Sequence, residues 1–239
     1  MKKALLTICL AAASLTSFAQ FYGDYEAPVT FGIKGGANFA SFQQSVEGLE
    51  GSASSGSVIG YHAGVYANFN IDYYFAIQPA LLFTVKGSKF KYSESTEIED
   101  IGTVSVLSDD KATLNYLHFP VNLIYKVPTG DNKFFFGAGP FISYGLSGKA
   151  KTKQTGTLMD ETFTNEVEGD VTFGNEPGNV KRFDYGANAL VGFKFYGGFV
   201  ISANYDFGLA EIQNNTDDET GITTKVKTRV IGLSIGYEF

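Results

Sequence analysis

Alternation of apolar and polar residues with a period of two recurs along most of the chain after residue 29. This pattern predicts β-strands whose two faces meet different surroundings. In the last such segment, Ile231, Leu233 and Ile235 share one face, whereas Gly232 and Ser234 share the other. Eight segments show the pattern: 30–40, 58–70, 74–92, 113–127, 133–149, 183–196, 198–212 and 224–239.

The connections between these segments alternate strictly between short and long. The short ones are 71–73, 128–132 and the surroundings of Gly197, and the long polar ones are 41–57, 93–112, 150–182 and 213–223. An up-and-down meander gives this pattern when all its tight turns lie on one side. Barrels of bacterial outer membranes have short periplasmic turns and long extracellular loops.

The side-chain sizes on the two faces indicate which face points outward. Phe, Ile, Leu and Tyr dominate one face, and Gly, Ser, Asn and a few charged residues dominate the other. Eight strands enclose a narrow interior that the large face would overfill. The large apolar face is therefore predicted to meet lipid. The fold class is an all-β, eight-stranded antiparallel up-and-down transmembrane β-barrel over 20–239, with the four long connections as extracellular loops.

Two features disturb this pattern. Pro79, Pro120 and Pro140 fall inside predicted strands, where each removes a ladder hydrogen bond, so we expect a bulge or local break near each. Phe135 and Phe141 fall on the inward face of the fifth strand, which allows a register slip there.

The first residues predict export. Lys2 and Lys3 precede an apolar run at 4–13, and Ser17 and Ala19 then place small residues at the −3 and −1 positions, which is typical of a cleavable signal peptide at 1–19. The chain has 18 Lys+Arg and 25 Asp+Glu, so loss of the two lysines leaves 16 − 25 = −9. This charge excludes nucleic acid as an expected partner. Cys9 is the only cysteine, so the mature chain has no thiol chemistry.

The polar residues on the inward face are the candidate site. They are Lys34, His62, Lys86, His118, Lys126, Lys194, Asp206 and Glu238. A salt-bridged plug is the favoured interpretation, and an anion path is the alternative. His62 and His118 lie at similar heights, with Ser143 and Asp206 at comparable levels, so an interior Ser/His/Asp hydrolase is a third hypothesis. We expect no catalytic residue and no cofactor. We also expect no metal site, because no third metal ligand accompanies the histidines.

Six short motifs occur in order along the chain: FGIKGGANF at 31–39, GYHAGVYA at 60–67, IQPALLF at 77–83, LNYLHFPV at 114–121, GAGPF at 137–141 and VIGLSIGYEF at 230–239. This ordered set resembles the small outer-membrane β-barrel family of Bacteroidetes, the PorT-like group. The resemblance implies an eight-stranded barrel that tolerates the three prolines. It implies no single function, although PorT itself serves a secretion system.

The expected function is structural or surface-binding, without catalysis. Strand residues face either the lipid or the plug and therefore have little freedom to recognise a ligand. Binding residues commonly lie on loops that a rigid scaffold carries. Specificity is therefore predicted in 93–112 and 150–182, and the alternatives are a narrow pore or a PorT-like secretion component. The expected partners are outer-membrane lipid and lipopolysaccharide, the assembly machinery, and an unidentified surface ligand or protein.

The C-terminal strand is predicted to be an assembly signal, with Tyr237 and Phe239 as its aromatic residues. Deletion of Phe239 should lower the amount of protein in the outer membrane more than Phe199→Ala does, because Phe199 only faces lipid. The measurement is the membrane yield of each variant at equal expression. Equal yields would remove the assembly role.

Overall fold

A computed structural model describes residues 27–46, 53–98, 102–158, 161–174, 176, 179–216 and 223–239. The predicted signal peptide at 1–19 lies outside these residues and stays a prediction. Within the described residues, no helix is long and apolar enough to cross a membrane.

Eight of the eleven strands found in the described residues form one antiparallel barrel. They are β1 (Val29–Val46), β3 (Gly56–Asn70), β4 (Phe75–Ile98), β5 (Gly102–Thr129), β6 (Asn132–Leu158), β8 (Phe183–Lys194), β9 (Phe199–Gly208) and β11 (Thr223–Glu238). Three additional strands attach to it at one end: β2 (Ala53–Ser54) pairs with β1, β7 (Glu161–Asp170) with β6, and β10 (Gln213–Thr216) with β11.

The barrel closes because β1 pairs with β11 as well as with β3. The β1–β11 register runs from Gly32 opposite Glu238 to Val46 opposite Thr224. Each of the other barrel strands pairs with its neighbour in chain order. Closure removes the free sheet edges, which a strand-built protein requires inside hydrocarbon. The predicted eight-stranded antiparallel barrel is thus confirmed.

The three short turns lie at one end of the barrel, here named the turn end, and the opposite end is the hairpin end. Gly130, Gly197 and Gly198 occupy turns with positive φ, which glycine adopts without a side-chain clash. In the first turn the Asp72 carboxylate accepts hydrogen bonds from the backbone N–H groups of Tyr74 and Phe75. This local cap is typical of Asp in tight turns.

Three strands extend much further at the hairpin end than the sequence pattern indicates. β4 ends at Ile98 rather than at 92, β5 begins at Gly102 rather than at 113, and β6 ends at Leu158 rather than at 149. The segments predicted as loops at 93–112 and 150–182 are therefore largely strand. The alternation of apolar residues ends where both faces of the strands are in water. The backbone hydrogen bonds between the strands continue beyond that point, so the pattern predicts strands that are too short. The other two predicted loops, 41–57 and 213–223, also contain strand residues.

The outer wall of the barrel is apolar and carries aromatic side chains near both ends. Leu233 at mid-height is 51% exposed. At the turn end Tyr125 contacts Phe75 and Phe136, with ring centroids 5.0 and 5.4 Å apart. At the hairpin end Tyr144 contacts Phe183 at 5.3 Å. Two aromatic girdles around an apolar band are typical of transmembrane barrels.

The prolines interrupt pairing locally without shifting its register. The β4–β5 ladder skips from Pro79 opposite Val121 to Leu82 opposite His118, and the β5–β6 ladder skips in the same way beside Pro120 and Pro140. The register shifts lie elsewhere, between Ser57 and His62 and between Asn115 and Tyr116. Phe135 and Phe141 are buried in the interior.

Closure at the β1–β11 seam depends on the absence of a side chain at Gly36. A Cβ there would lie 1.8 Å from the Leu233 carbonyl oxygen, whereas a Cβ at Gly169 would meet no atom within 4 Å. Gly36→Val should therefore reduce the folded fraction sharply, and Gly169→Val should not. Heat-modifiable migration in detergent measures this fraction, and equal fractions for both variants would contradict the steric requirement.

Candidate functional site

A buried ion pair lies in the interior toward the hairpin end. The Lys86 ammonium on β4 lies 2.8 Å from the Asp184 carboxylate on β8, and both side chains are 0% exposed. Asp184 also accepts a hydrogen bond of 2.9 Å from Thr228 on β11. The rings of Tyr116 and Phe141 lie 5.2 and 5.0 Å from the ammonium. These contacts connect strands from opposite sides of the barrel.

His118 on β5 lies directly below this pair and joins two further strands. Its Nδ1 is 2.8 Å from Ser143 Oγ on β6, and its Nε2 is 3.6 Å from Asp206 Oδ2 on β9. Asp206 accepts hydrogen bonds from the amides of Asn188 and Asn204. A serine, a histidine and an aspartate therefore lie together, but the histidine–aspartate distance exceeds that of a hydrogen bond.

His62 belongs to a separate hydrogen-bonded group. Its Nδ1 lies 2.7 Å from Asn38 Oδ1 and its Nε2 lies 2.7 Å from Ser234 Oγ. The Asn38 amide in turn donates to Thr84 Oγ1 at 2.7 Å. The two histidines thus have different partners. Among the described residues, no three His, Cys, Asp or Glu side chains form a group that would hold a metal ion.

Glu238 is the centre of the polar group nearest the turn end. It accepts hydrogen bonds from Lys194 at 2.6 Å, Thr30 at 2.9 Å and Asn68 at 2.9 Å. Lys126 donates to Asn70 at 3.1 Å in the same region. Lys34 lies higher, with its ammonium 5.9 Å from the centre of the Tyr66 ring.

Two apolar clusters also lie in the interior. Phe42, Leu114, Tyr116, Ile212 and Val226 pack together at the hairpin end, and Ala76, Ile124, Phe135, Leu190 and Val200 pack together toward the turn end. Between the polar groups, one cavity of about 20 Å³ borders both histidines and Asp206, and another of about 40 Å³ borders Glu238. Such volumes hold single water molecules. The interior therefore has the form of a plug.

The plug limits what the Ser143–His118–Asp206 group can do. A hydrolase needs space for a substrate carbonyl beside the serine oxygen and a path by which it enters. Ser143 is 1% exposed, and the adjoining cavity is too small for an acyl group. The arrangement satisfies buried hydrogen-bonding groups, which is the ordinary role of interior networks.

Sequence reasoning missed Asp184, the carboxylate that neutralises Lys86. The alternation along β8 could have identified this residue, because Asp184 lies on the same face of the strand as Asn188 and Lys194. Thr228 and Asn38 were missed as well, since neither residue type is charged or catalytic. Their importance appears only once their partners are known.

Above the barrel, β4, β5, β6 and β7 form a second candidate site, here named the protruding sheet. It comprises 89–98, 102–111, 149–158 and β7, joined by continuous ladders. It contains most of the segment 93–112 and the first part of the segment 150–182, which were predicted to carry specificity. In the part of the chain that the structure describes, no strand pairs with the outer edge of β7.

The two faces of β7 have different chemistry. Glu166 and Glu168 lie on one face and form ion pairs with Lys151 at 2.6 Å and Lys149 at 2.8 Å. The hydrogen bond and charge of Glu168 raise the pKa of Lys149, and Lys149 lowers the pKa of Glu168 in return. Phe163 and Val167 lie on the other face, and each is 59% exposed.

Comparison with known proteins identifies one family. The profile described as "Outer membrane protein beta-barrel domain" matches residues 18–214. No curated protein matches the chain.

Several solved structures are similar to this chain. The attachment invasion locus protein Ail of Yersinia pestis is 12% identical, with 88% of this chain and 98% of that chain covered and a TM-score of 0.35. Neisserial surface protein A is 13% identical (87% and 97% covered, TM-score 0.32). OprG from Pseudomonas aeruginosa is 11% identical (88% and 95% covered, TM-score 0.33).

The Lys86–Asp184 pair should dominate the stability of the plug. Lys86→Met or Asp184→Leu alone leaves a buried charge without its partner, which costs about 3–5 kcal/mol. The double variant should lose much less than the sum of the two single variants. Urea unfolding in lipid vesicles measures these differences.

Lys149→Gln is the matched control, because its ion pair with Glu168 is exposed to solvent. Its unfolding midpoint should stay close to that of the wild type. Additive losses in the Lys86 and Asp184 variants would show that the two groups are not coupled.

Proposed function

Because the chain belongs to the outer membrane protein beta-barrel domain family, we propose that it is a surface-binding protein that holds an extended polypeptide segment of a partner along β7. The observation that carries the proposal is the outer edge of this strand, which pairs with no strand among the described residues. Outer-membrane barrels keep their short turns in the periplasm, so the protruding sheet lies outside the cell.

The β7 edge has the length and exposure that strand addition requires. Ten residues give about 33 Å of strand at a rise of about 3.3 Å per residue. Residues 162–170 are all exposed. A strand edge with free N–H and C=O groups pairs with an extended segment through backbone hydrogen bonds, and side-chain contacts then provide specificity.

The side chains of β7 indicate the chemistry of the partner. A segment with alternating basic and apolar residues would place its cations beside Glu166, Glu168 and Asp170, and its apolar side chains beside Phe163 and Val167. An acidic segment would place like charges side by side, which is unfavourable. The same repulsion opposes pairing of β7 with a second copy of itself, a common protection of strand edges.

The proposal assigns no catalysis to the interior, in keeping with the closed surroundings of Ser143. A narrow pore is disfavoured because the cavities between the interior polar groups are only about 20 and 40 Å³. The ordered motifs also support membership of the PorT-like group of Bacteroidetes. A secretion-system role is the alternative function, since the same strand edge would hold an exported chain before it folds.

The test is a variant that lacks the upper part of the protruding sheet. In this variant one Asn-Gly turn connects Tyr92 to Ser108, and a second Asn-Gly turn connects Lys153 to Glu166. The two residues of each pair already face each other across a ladder. The probe is a labelled ten-residue peptide of alternating Lys and Val, added to the purified protein in detergent. The trimmed barrel should bind at least about tenfold more weakly than the wild type.

Two controls separate recognition at the strand edge from other binding. A matched peptide of alternating Glu and Val should bind weakly to the wild type. The double variant His62→Ala/His118→Ala should bind the Lys/Val peptide normally, because both histidines lie in the plug. Equal binding of the two peptides, or full binding by the trimmed barrel, would refute the proposal.

The same variants test the role in cells. In a strain that lacks the protein, the histidine variant should restore any deletion phenotype, and the trimmed barrel should not. The opposite result would place the function in the barrel interior.

A further inference from the structure

Six lysines lie on one face of the protruding sheet, on three adjacent strands close to the barrel. On β4 and β5 their side chains have the same strand parity as the apolar outer wall of the barrel, and on β6 the register shift opposite Asn115 and Tyr116 brings the odd-numbered lysines onto this face, so the face continues that wall upward. The six are Lys89 and Lys91 on β4, Lys111 on β5, and Lys149, Lys151 and Lys153 on β6. The mature chain is acidic, so this cluster is a local exception to its overall charge.

The strand register places several of these lysines directly opposite one another. Lys89 faces Lys111 across the β4–β5 ladder, and Lys111 faces Lys151 across the β5–β6 ladder. Directly opposed side chains lie about 5 Å apart at Cβ, and like charges in that position destabilise the sheet. A bound anion would relieve this repulsion.

Neighbouring carboxylates lie beside four of the six lysines. Lys91 lies 3.6 Å from Asp109, and the Lys149 and Lys151 pairs with Glu168 and Glu166 are described above. Lys153 lies between Asp109 and Glu166, which face it across the two adjacent ladders. Lys89 and Lys111 face each other instead and form no ion pair with any side chain in the part of the chain that the structure describes, so these two ammonium groups are available to an external anion.

The cluster begins just beyond the lipid-facing wall. On β6, Leu146 is an exposed apolar residue of that wall, and Lys149 follows three residues later. Three residues span about 10 Å along a strand, and the strand is tilted from the membrane normal, so the vertical distance is smaller. The lysines begin in the polar layer next to the hydrocarbon, where their aliphatic stems can lie along the wall.

We propose that Lys89 and Lys111 bind the phosphate groups of lipopolysaccharide in the outer leaflet. A polyanion that approaches from solution meets a protein of net negative charge. A lipid that is already anchored beside the wall meets first the base of this face, where Lys89 and Lys111 lie opposite each other. The site is separate from the β7 edge, and the proposed partner segment plays no part in it.

Such binding would hold the protruding sheet at a constant depth relative to the membrane surface. The lysine face is at the base of the sheet, and the β7 edge lies at its side. A lipid phosphate bridging β4 and β5 would therefore stabilise the strands that carry the edge, without covering it.

The test measures binding of labelled diphosphorylated lipid A to the full-length protein folded in zwitterionic detergent. Lys89→Gln/Lys111→Gln should raise the dissociation constant about tenfold or more, since each basic residue near an anionic lipid surface contributes measurably. Lys89→Arg/Lys111→Arg should stay within about twofold of the wild type, because the charge is kept. Unchanged heat-modifiable migration verifies that each variant is folded.

Three comparisons make the result decisive. Lys181→Gln/Lys227→Gln removes the same charge outside the cluster and should bind lipid A as the wild type does. Dephosphorylated lipid A should bind the wild type weakly, and inorganic phosphate at the same phosphate concentration should not compete. Wild-type binding by Lys89→Gln/Lys111→Gln, an equal loss in the control variant, or competition by free phosphate would overturn the proposal. The trimmed barrel described above retains all six lysines, so failure of the strand-edge proposal leaves this measurement intact.

Discussion

Backbone pairing of β1 with β11 is the interaction on which the rest of the structure depends. Inside hydrocarbon no water satisfies an unpaired N–H or C=O group, so a sheet with free edges would be unstable there. The seam brings glycines such as Gly36 so close to the facing strand that no side chain fits. Closure thus constrains the sequence at the seam, and it divides every strand into a lipid face and an interior face.

The interior face then has to satisfy its own polar groups in a narrow space. Charged residues survive there because each has a partner on another strand, as Lys86 has Asp184 and Lys194 has Glu238. A buried pair of this kind is weak evidence for extra stability, but loss of one partner is costly. The networks therefore tie strands together across the barrel and occupy the space that a pore or a substrate would need.

Beyond the membrane the same strands are released from this constraint. Water meets both faces of the protruding sheet, so its side chains need neither be apolar nor be paired inside a plug. One edge is left without a strand partner in the described part of the chain, and one face carries lysines that face one another. These two unsatisfied features, hydrogen-bonding groups on the edge and positive charge on the face, lead to the two proposals.

The sequence by itself determined the number of barrel strands, the alternation of short and long connections and the face that meets lipid, because period-two alternation and turn residues are local signals. The sequence also held the information needed to place Asp184 in the interior, because this residue alternates in step with the other interior residues of β8. Three things were decided only by the tertiary structure. The first is how far β4, β5 and β6 extend beyond the membrane, because the extended parts show no alternation of apolar residues. The pairing of His118 with Ser143, and of His62 with Asn38 and Ser234, depends on registers between strands that are distant in sequence. The opposition of Lys89 and Lys111 depends on ladder register, in which a shift of one residue moves every side chain to the other face.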